Sequence, residues 1–361
     1  MAGRLAIDER CFDDGERTVL QYEGLEAVLF TYGSGVRAVR LVNDRGHAVI
    51  LPYLGQMIWD AEFAGRRLTM GSLFDQPKPT DLFLHTYGCF MMHCGALRMG
   101  CPGPDDSHAL HGELPCARYR DVEIGFGTDG EGSYLSISGT YEHDVAFTAH
   151  YRARPEVRIR MGSTLIDITM RIENRSRYAM ELMYMGHINF RPVDGGRIVQ
   201  SLPWDSEHMV LRTSIPEHVT VSRQFLDFMA KVEKEPSLTS VLNPGVEYRP
   251  EMAIFMNGPR TDDEGLSHFM QLHPDGTADY VGFAPELMDH PTRWIMRTGE
   301  QEALGIALPS TCDPEGYTAE KRKGNIKEIP GNASAALVMR TGVLERDEAA
   351  AMERRIEKAR G

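Results

Sequence analysis

LIDITMRIENRS, residues 165–176, decides the fold class. Ile166, Ile168, Met170 and Ile172 alternate with Asp167, Thr169, Arg171 and Glu173, a period of two that puts the apolar side chains on one face and the polar ones on the other. A strand with one buried and one wet face is typical of antiparallel sheets. Asn174-Arg175-Ser176 then carries turn chemistry, so the chain is expected to fold back as a hairpin into the strand that follows.

That next stretch, MELMYMGHINFRPVDGGRI at 180–198, begins as a strand, presents His187 beside Asn189, and closes on Asp194-Gly195-Gly196. A histidine at a strand end before a glycine turn is placed to face a cavity and exchange protons near neutral pH. The commoner role of a lone strand histidine is a hydrogen-bonded core residue. On the N-terminal side, TVLQYEG, EAVLFTYG, VRAVRLVN and HAVILPYLG read as meander strands broken by Gly or Asn-Asp. After the turn-rich MGSLFDQPKPT, residues 82–119 have no clean period and read as long ordered loops. On the C-terminal side, SRQFLDFMAKVEK reads as a short helix, and EMAIFMNG, SHFMQLHP, ADYVGFAPEL, RWIMRTG, EALGIALPST and SAALVMRTGVL read as strands. The end, 345–361, is helical, with Ala349, Met352 and Ile356 on one face. The fold class is therefore all-β: a single antiparallel β-sandwich domain over 1–361 with a C-terminal helix.

Composition narrows the function. Among 361 residues, 42% are apolar and 25% charged, and the net charge is −13, so a nucleic-acid partner, which needs a basic surface, is not expected. The charged N-terminus lacks an apolar signal core and no eighteen-residue apolar window exists, which predicts a cytoplasmic protein with no membrane partner. In that compartment Cys11, Cys89, Cys94, Cys101, Cys116 and Cys312 are expected as reduced thiols. His108-x-x-His111 near three of these cysteines lacks the paired spacing of a zinc site, so no metal is expected. Nucleotide-binding loops and the Gly-x-Ser-x-Gly elbow are missing, and no cofactor is expected.

Four runs in order, CGALRMGCPGPDDSHALHGELPCARY, LIDITMRIENRS, GHINFRPVDGGRI and GIALPSTCDPEGYTAEKRKGNIKEIPGN, resemble the aldose 1-epimerase (galactose mutarotase-like) superfamily, and within it the DUF4432-type branch. The resemblance touches most of residues 40–343. It implies a β-supersandwich with a saccharide cleft on a concave face and a small-molecule carbohydrate as partner. It also implies that His111, in His111-Gly112, and His187 flank the sugar, with His187 protonating the ring oxygen. Arg98 matches the arginine that binds sugar hydroxyls, and a glutamate before a proline-rich C-terminal loop would deprotonate the anomeric hydroxyl.

The reaction itself asks for such groups. Opening a pyranose ring removes one proton from the C1 hydroxyl and delivers another to the ring oxygen, so two titratable groups must sit across the sugar. This chain departs at the base, because Gly305-Ile306-Ala307-Leu308-Pro309 puts Leu308 where the glutamate is expected. Glu315 or Asp313 from the following loop, or Glu113 after the first His-Gly, are the candidate replacements; Asp313 and Glu315 also suit a simple turn around Pro314 and Gly316. Asn189, Trp294 and His85 are the further candidates for lining the cleft, Trp294 because sugar C–H faces stack on aromatic rings. The expected activity is aldose 1-epimerase-like isomerisation. The rivals are a sugar-binding or sensing protein that lost the base, and a lyase or isomerase of keto-sugars or uronates. Oligomeric state, including a homodimer, stays open.

Overall fold

The structure is a computed structural model describing residues 2–13, 15–214, 221–246 and 248–361. The Leu165–Asn174 strand lies in the middle of a nine-stranded sheet, paired antiparallel with Ala149–Arg160 on one side and Ser334–Leu344 on the other. Its four alternating apolar residues are fully buried while Arg171 is exposed, as the period of two requires. The N-terminal strands, from Arg17–Tyr22 to Ile58–Phe63, form a meander that opens a second sheet. Leu25, Leu41 and Ile50 from this second sheet meet Ile168 and Ile172 from the first in one apolar core, the packing of two sheets face to face.

The expected hairpin does not form. After Asn174 the chain crosses to the second sheet, where Met180–Ile188 pairs with Met91–Ala96. The crossing is fixed by Asn174, whose Nδ2 donates to the carbonyls of Tyr178 and Ile329 and whose Oδ1 accepts from the Ser176 amide. Those bonds satisfy the polar backbone of a turn that leads away from its own sheet. Met91–Ala96 was also hidden within the region read as loop. Every residue in it is buried, because a second apolar layer, including Trp59, Met92, Cys94, Met183, Met185, Trp294 and Leu308, covers the other face of this sheet. A strand buried on both faces has no polar alternation to reveal it.

A third sheet of four strands places the remaining groups. Thr292–Arg297 pairs with Tyr248–Met256 on one side and Glu302–Leu308 on the other. The run that contains Glu302–Leu308 then lies beside the His187 strand: Phe190 and Leu304 exchange backbone hydrogen bonds, Gly186 N donates to Pro309 O, and Thr311 N donates to Tyr184 O. His187 is thus two strands from Trp294, about 10 Å of backbone. The short helix is found at Arg223–Val232 and the C-terminal helix at Arg346–Arg360, the latter burying Ala349 and Ile356. A helix at Tyr317–Lys323 was not expected. No helix among the described residues is long and apolar enough to cross a membrane. The six cysteines are free thiols.

Candidate functional site

His111 and His187 meet edge to face, with ring centroids 5.4 Å apart. His187 comes from the C-terminal end of Met180–Ile188, while His111 comes from the loop that returns along the end of Met91–Ala96. Gly95 binds that loop: its N–H donates to His111 O, and its carbonyl accepts from Glu113 and Leu114. His111 itself has φ of 61°, a left-handed conformation that costs a residue with a Cβ about 1–2 kcal/mol. Gly112 follows at φ 80°, and a Cβ there would stand 1.9 Å from the carbonyl oxygen of Arg98. The glycine of the His-Gly pair is therefore a packing requirement that holds the imidazole in place. Gly112→Ala should lower stability by roughly 1–3 kcal/mol in chemical denaturation. Stability equal to that of the parent protein would show that the loop has another way to fit.

Around the two imidazoles stand Tyr87 and Trp294, whose rings lie 5.8 and 5.2 Å from His187, and Phe83, 5.5 Å from His111. Asn189 sets the state of His187. Its Nδ2 donates to Cys89 O at 3.1 Å, so its Oδ1 is the acceptor, taking hydrogen bonds from His187 Nδ1 at 2.8 Å and Tyr87 Oη at 3.1 Å. The proton of a neutral imidazole then lies on Nδ1, leaving the lone pair on Nε2. Burial pushes His187 down to about 4, opposed by the Asn189 bond. His111 is pushed down to about 3 by burial and by His187, with Glu251 opposing and Arg212 and His108 adding to the effect. Both rings are neutral at pH 7. The resemblance cast His187 as an acid, whereas this network presents it as a proton acceptor.

A carboxylate that reaches this group is Glu251, on Tyr248–Met256. Its Oε2 accepts from Trp294 Nε1 at 2.6 Å, and its Oε1 accepts from Arg212. Sequence reasoning passed over it, since it reads as an ordinary strand residue in EMAIFMNG and no spacing singles it out. Leu308 lies on the same floor. It is buried, with Cδ2 2.6 Å from where a Cβ on Gly305 would be, and Gly305 is the ladder partner of Trp294. The position expected to carry a carboxylate is apolar and packed. His187 and Trp294 retain only 4% and 8% exposure, while His111, Tyr87 and Glu251 are partly open.

The other expected site residues are held elsewhere. Glu113 Oε1 accepts from the Ala96 and Leu97 amides and from Tyr151 Oη, which makes it the brace of the His111 loop instead of an open base. Arg98 pairs with Glu181 at 3.2 Å and lies 3.6 Å over the Tyr317 ring. His85 is exposed at the end of a short 3₁₀ turn, beside a cavity of about 500 Å³ on the outer side of the His111 loop. Asp313 and Glu315 share Lys323, whose Nζ lies 2.7 and 2.5 Å from them and 2.9 Å from Glu320. Burial alone would raise the Asp313 carboxyl, but His290 and Lys323 hold it below its ordinary range. These three carboxylates have the mutual spacing of metal ligands, yet an ammonium already occupies their centre. Among the expected residues, the structure brings together His111, His187, Asn189 and Trp294.

Comparison with known proteins follows the same lines. Residues 33–202 match the family described as "Domain of unknown function (DUF4432)". No curated protein matches the sequence. A Klebsiella pneumoniae subsp. pneumoniae MGH 78578 protein provisionally named an aldose 1-epimerase has a similar structure, with a TM-score of 0.83 at 17% identity over 100% of this chain and 96% of that one. A galactose mutarotase-like protein from Clostridium acetobutylicum gives 0.59 at 12% identity over 90% and 100%. A provisionally named aldose 1-epimerase from Escherichia coli K12 gives 0.53 at 15% over 84% and 98%. At such identities the likeness is one of fold.

Proposed function

We infer, from a chain that carries a DUF4432 domain and has the galactose mutarotase-like fold, that the protein is a carbohydrate isomerase that interconverts the anomers of a free sugar or a related epimeric pair. The observation that supports this most directly is the pairing of two neutral imidazoles with an aromatic wall and a carboxylate. Among the described residues His187 Nε2 has no partner and its lone pair is available, so it takes the proton from the C1 hydroxyl. As C1=O forms and the bond from C1 to the ring oxygen breaks, the imidazolium so formed returns that proton to the ring oxygen; His111, neutral and in edge-to-face contact with His187 at 5.4 Å between centroids, positions the ring. Glu251 is a binding and polarising group: with Arg212 and Trp294 it presents both charges and a hydrogen-bond network to sugar hydroxyls. The reaction needs only proton transfer, for which each positioned group contributes roughly 10²–10⁴-fold.

The test is proton exchange at C1, followed by NMR on freshly dissolved single anomers of a panel of aldoses. Acceleration of at least one sugar is expected, and Glu251→Gln should weaken that sugar's binding by about tenfold through the loss of a charge-assisted contact. A panel with no accelerated member counts against isomerisation. A second reading, sugar binding without turnover, is favoured by apolar Leu308 and by the near closure of His187; thermal stabilisation by a sugar without exchange at C1 would select it.

A further inference from the structure

A cavity of about 690 Å³ touches neither histidine. Arg67, Arg191, Arg297, Gly71, Thr298 and Glu302 form much of its wall. Two of the three guanidiniums are already paired: Arg67 with Asp60 at 3.0 Å, and Arg297 with Asp194 at 2.6 Å and Glu302 at 3.5 Å. Arg191 differs. Among the described residues its side chain has no ion pair or hydrogen bond, and its Nε is shut off from water with no partner. A partly buried guanidinium left this way is uncompensated, and the group that matches it is an oxyanion, whose two oxygens fit the planar fork. The carboxylates at the cavity that lack a cation, Asp75 and Glu300, are exposed, where water and salt screen them.

We propose that this cavity binds the oxyanion of a small molecule, a carboxylate or a phosphate, on Arg191. The position gives the site a further meaning. Arg191 follows Asn189 by two residues along a run whose backbone is bonded to Leu68 and Met70, about 7 Å of extended chain. Met70 and Phe74 line the cavity and also pack in the cluster that holds Trp294. A sugar acid or sugar monophosphate reaching from the imidazoles would put its charged group there. That link rests on the carbohydrate reading above; oxyanion binding at Arg191 does not.

Isothermal titration of the full chain at constant ionic strength, with inorganic phosphate and separately with gluconate, tests the site. At least one of the two should bind, and Arg191→Met should weaken it by about tenfold or more. The stronger of the two probes identifies the class of oxyanion. No binding of either, or unchanged binding by Arg191→Met, overturns the proposal. Should that variant not fold, Arg191→Lys keeps the charge but not the fork, and severalfold weaker binding is expected; equal binding overturns the proposal. Phosphate or gluconate binding in a protein that accelerates no sugar would uphold this site and count against the carbohydrate reading, and sugar turnover without oxyanion binding would do the reverse.

Discussion

His187→Asn should lower the rate of anomer exchange by roughly 10²–10⁴-fold, the contribution of one positioned proton-transfer group, while leaving the fold in place. Asparagine keeps a polar group where Asn189 Oδ1 accepts but has no lone-pair nitrogen to take a proton. Asn189→Leu provides the matching test of orientation. It leaves the imidazole but removes the acceptor that holds the proton on Nδ1, so the rate should fall by about tenfold or more even though no group that touches sugar is lost. The pH profile separates this account from an exposed histidine. Because burial holds His187 near 4, the base form persists and the rate should stay level from pH 8 down to about 5.5, whereas an ordinary imidazole would lose its base form at about 6.5. A rate that halves near 6.5, or a His187→Asn variant with full activity, would remove His187 from the chemistry.

Acid should destabilise this protein in a window set by its buried imidazoles. His187 and His93 are 4% and 0% exposed; burial lowers them to about 4 and about 3, with the Asn189 bond opposing it at His187. In the unfolded chain each binds its proton at about 6.5, so between that value and the native one the unfolded state holds more protons and stability falls as pH falls. The stabilisation is fully present above about 6.5 and is lost by the time pH reaches the native value. For His187 alone the loss is about 3 kcal/mol, and His93 contributes a loss of the same order. Against a typical total of about 5–15 kcal/mol, the two together bring the fold close to its limit. The melting temperature should therefore drop steeply between pH 6.5 and 4, and His187→Asn should flatten that slope by about one proton. A melting temperature that stays constant across this range would mean that these rings take up protons without unfolding.

The alternation of Ile166, Ile168, Met170 and Ile172, and the apolar stripe of the C-terminal helix, were legible because each is a local pattern that follows directly from burial of one face. His187 was legible as a strand residue that runs into a glycine turn, whereas His111-Gly112 was singled out only by its resemblance to the mutarotase-like motif. Met91–Ala96 was not, since a strand covered on both faces carries no period. Nor were the true surroundings of Glu113, Arg98, Asp313 and Glu315, which are acidic and basic in sequence but are consumed by backbone amides, Glu181 and Lys323 in space.

The sequence by itself determined that the chain is built from antiparallel strands and that it ends in a helix, and it offered His187, and through the family resemblance His111, as candidates for a site. Only the tertiary structure decided that the 165–174 and 180–188 strands lie in different sheets, that Glu251 reaches Trp294 from a strand 64 residues beyond His187, and that the Arg191 side chain at its cavity has no partner among the described residues. The physical reason is range. Side-chain alternation is fixed by neighbours two residues apart, whereas pairing partners, hydrogen-bond satisfaction and burial depend on contacts between segments far apart in the chain, which no local pattern encodes.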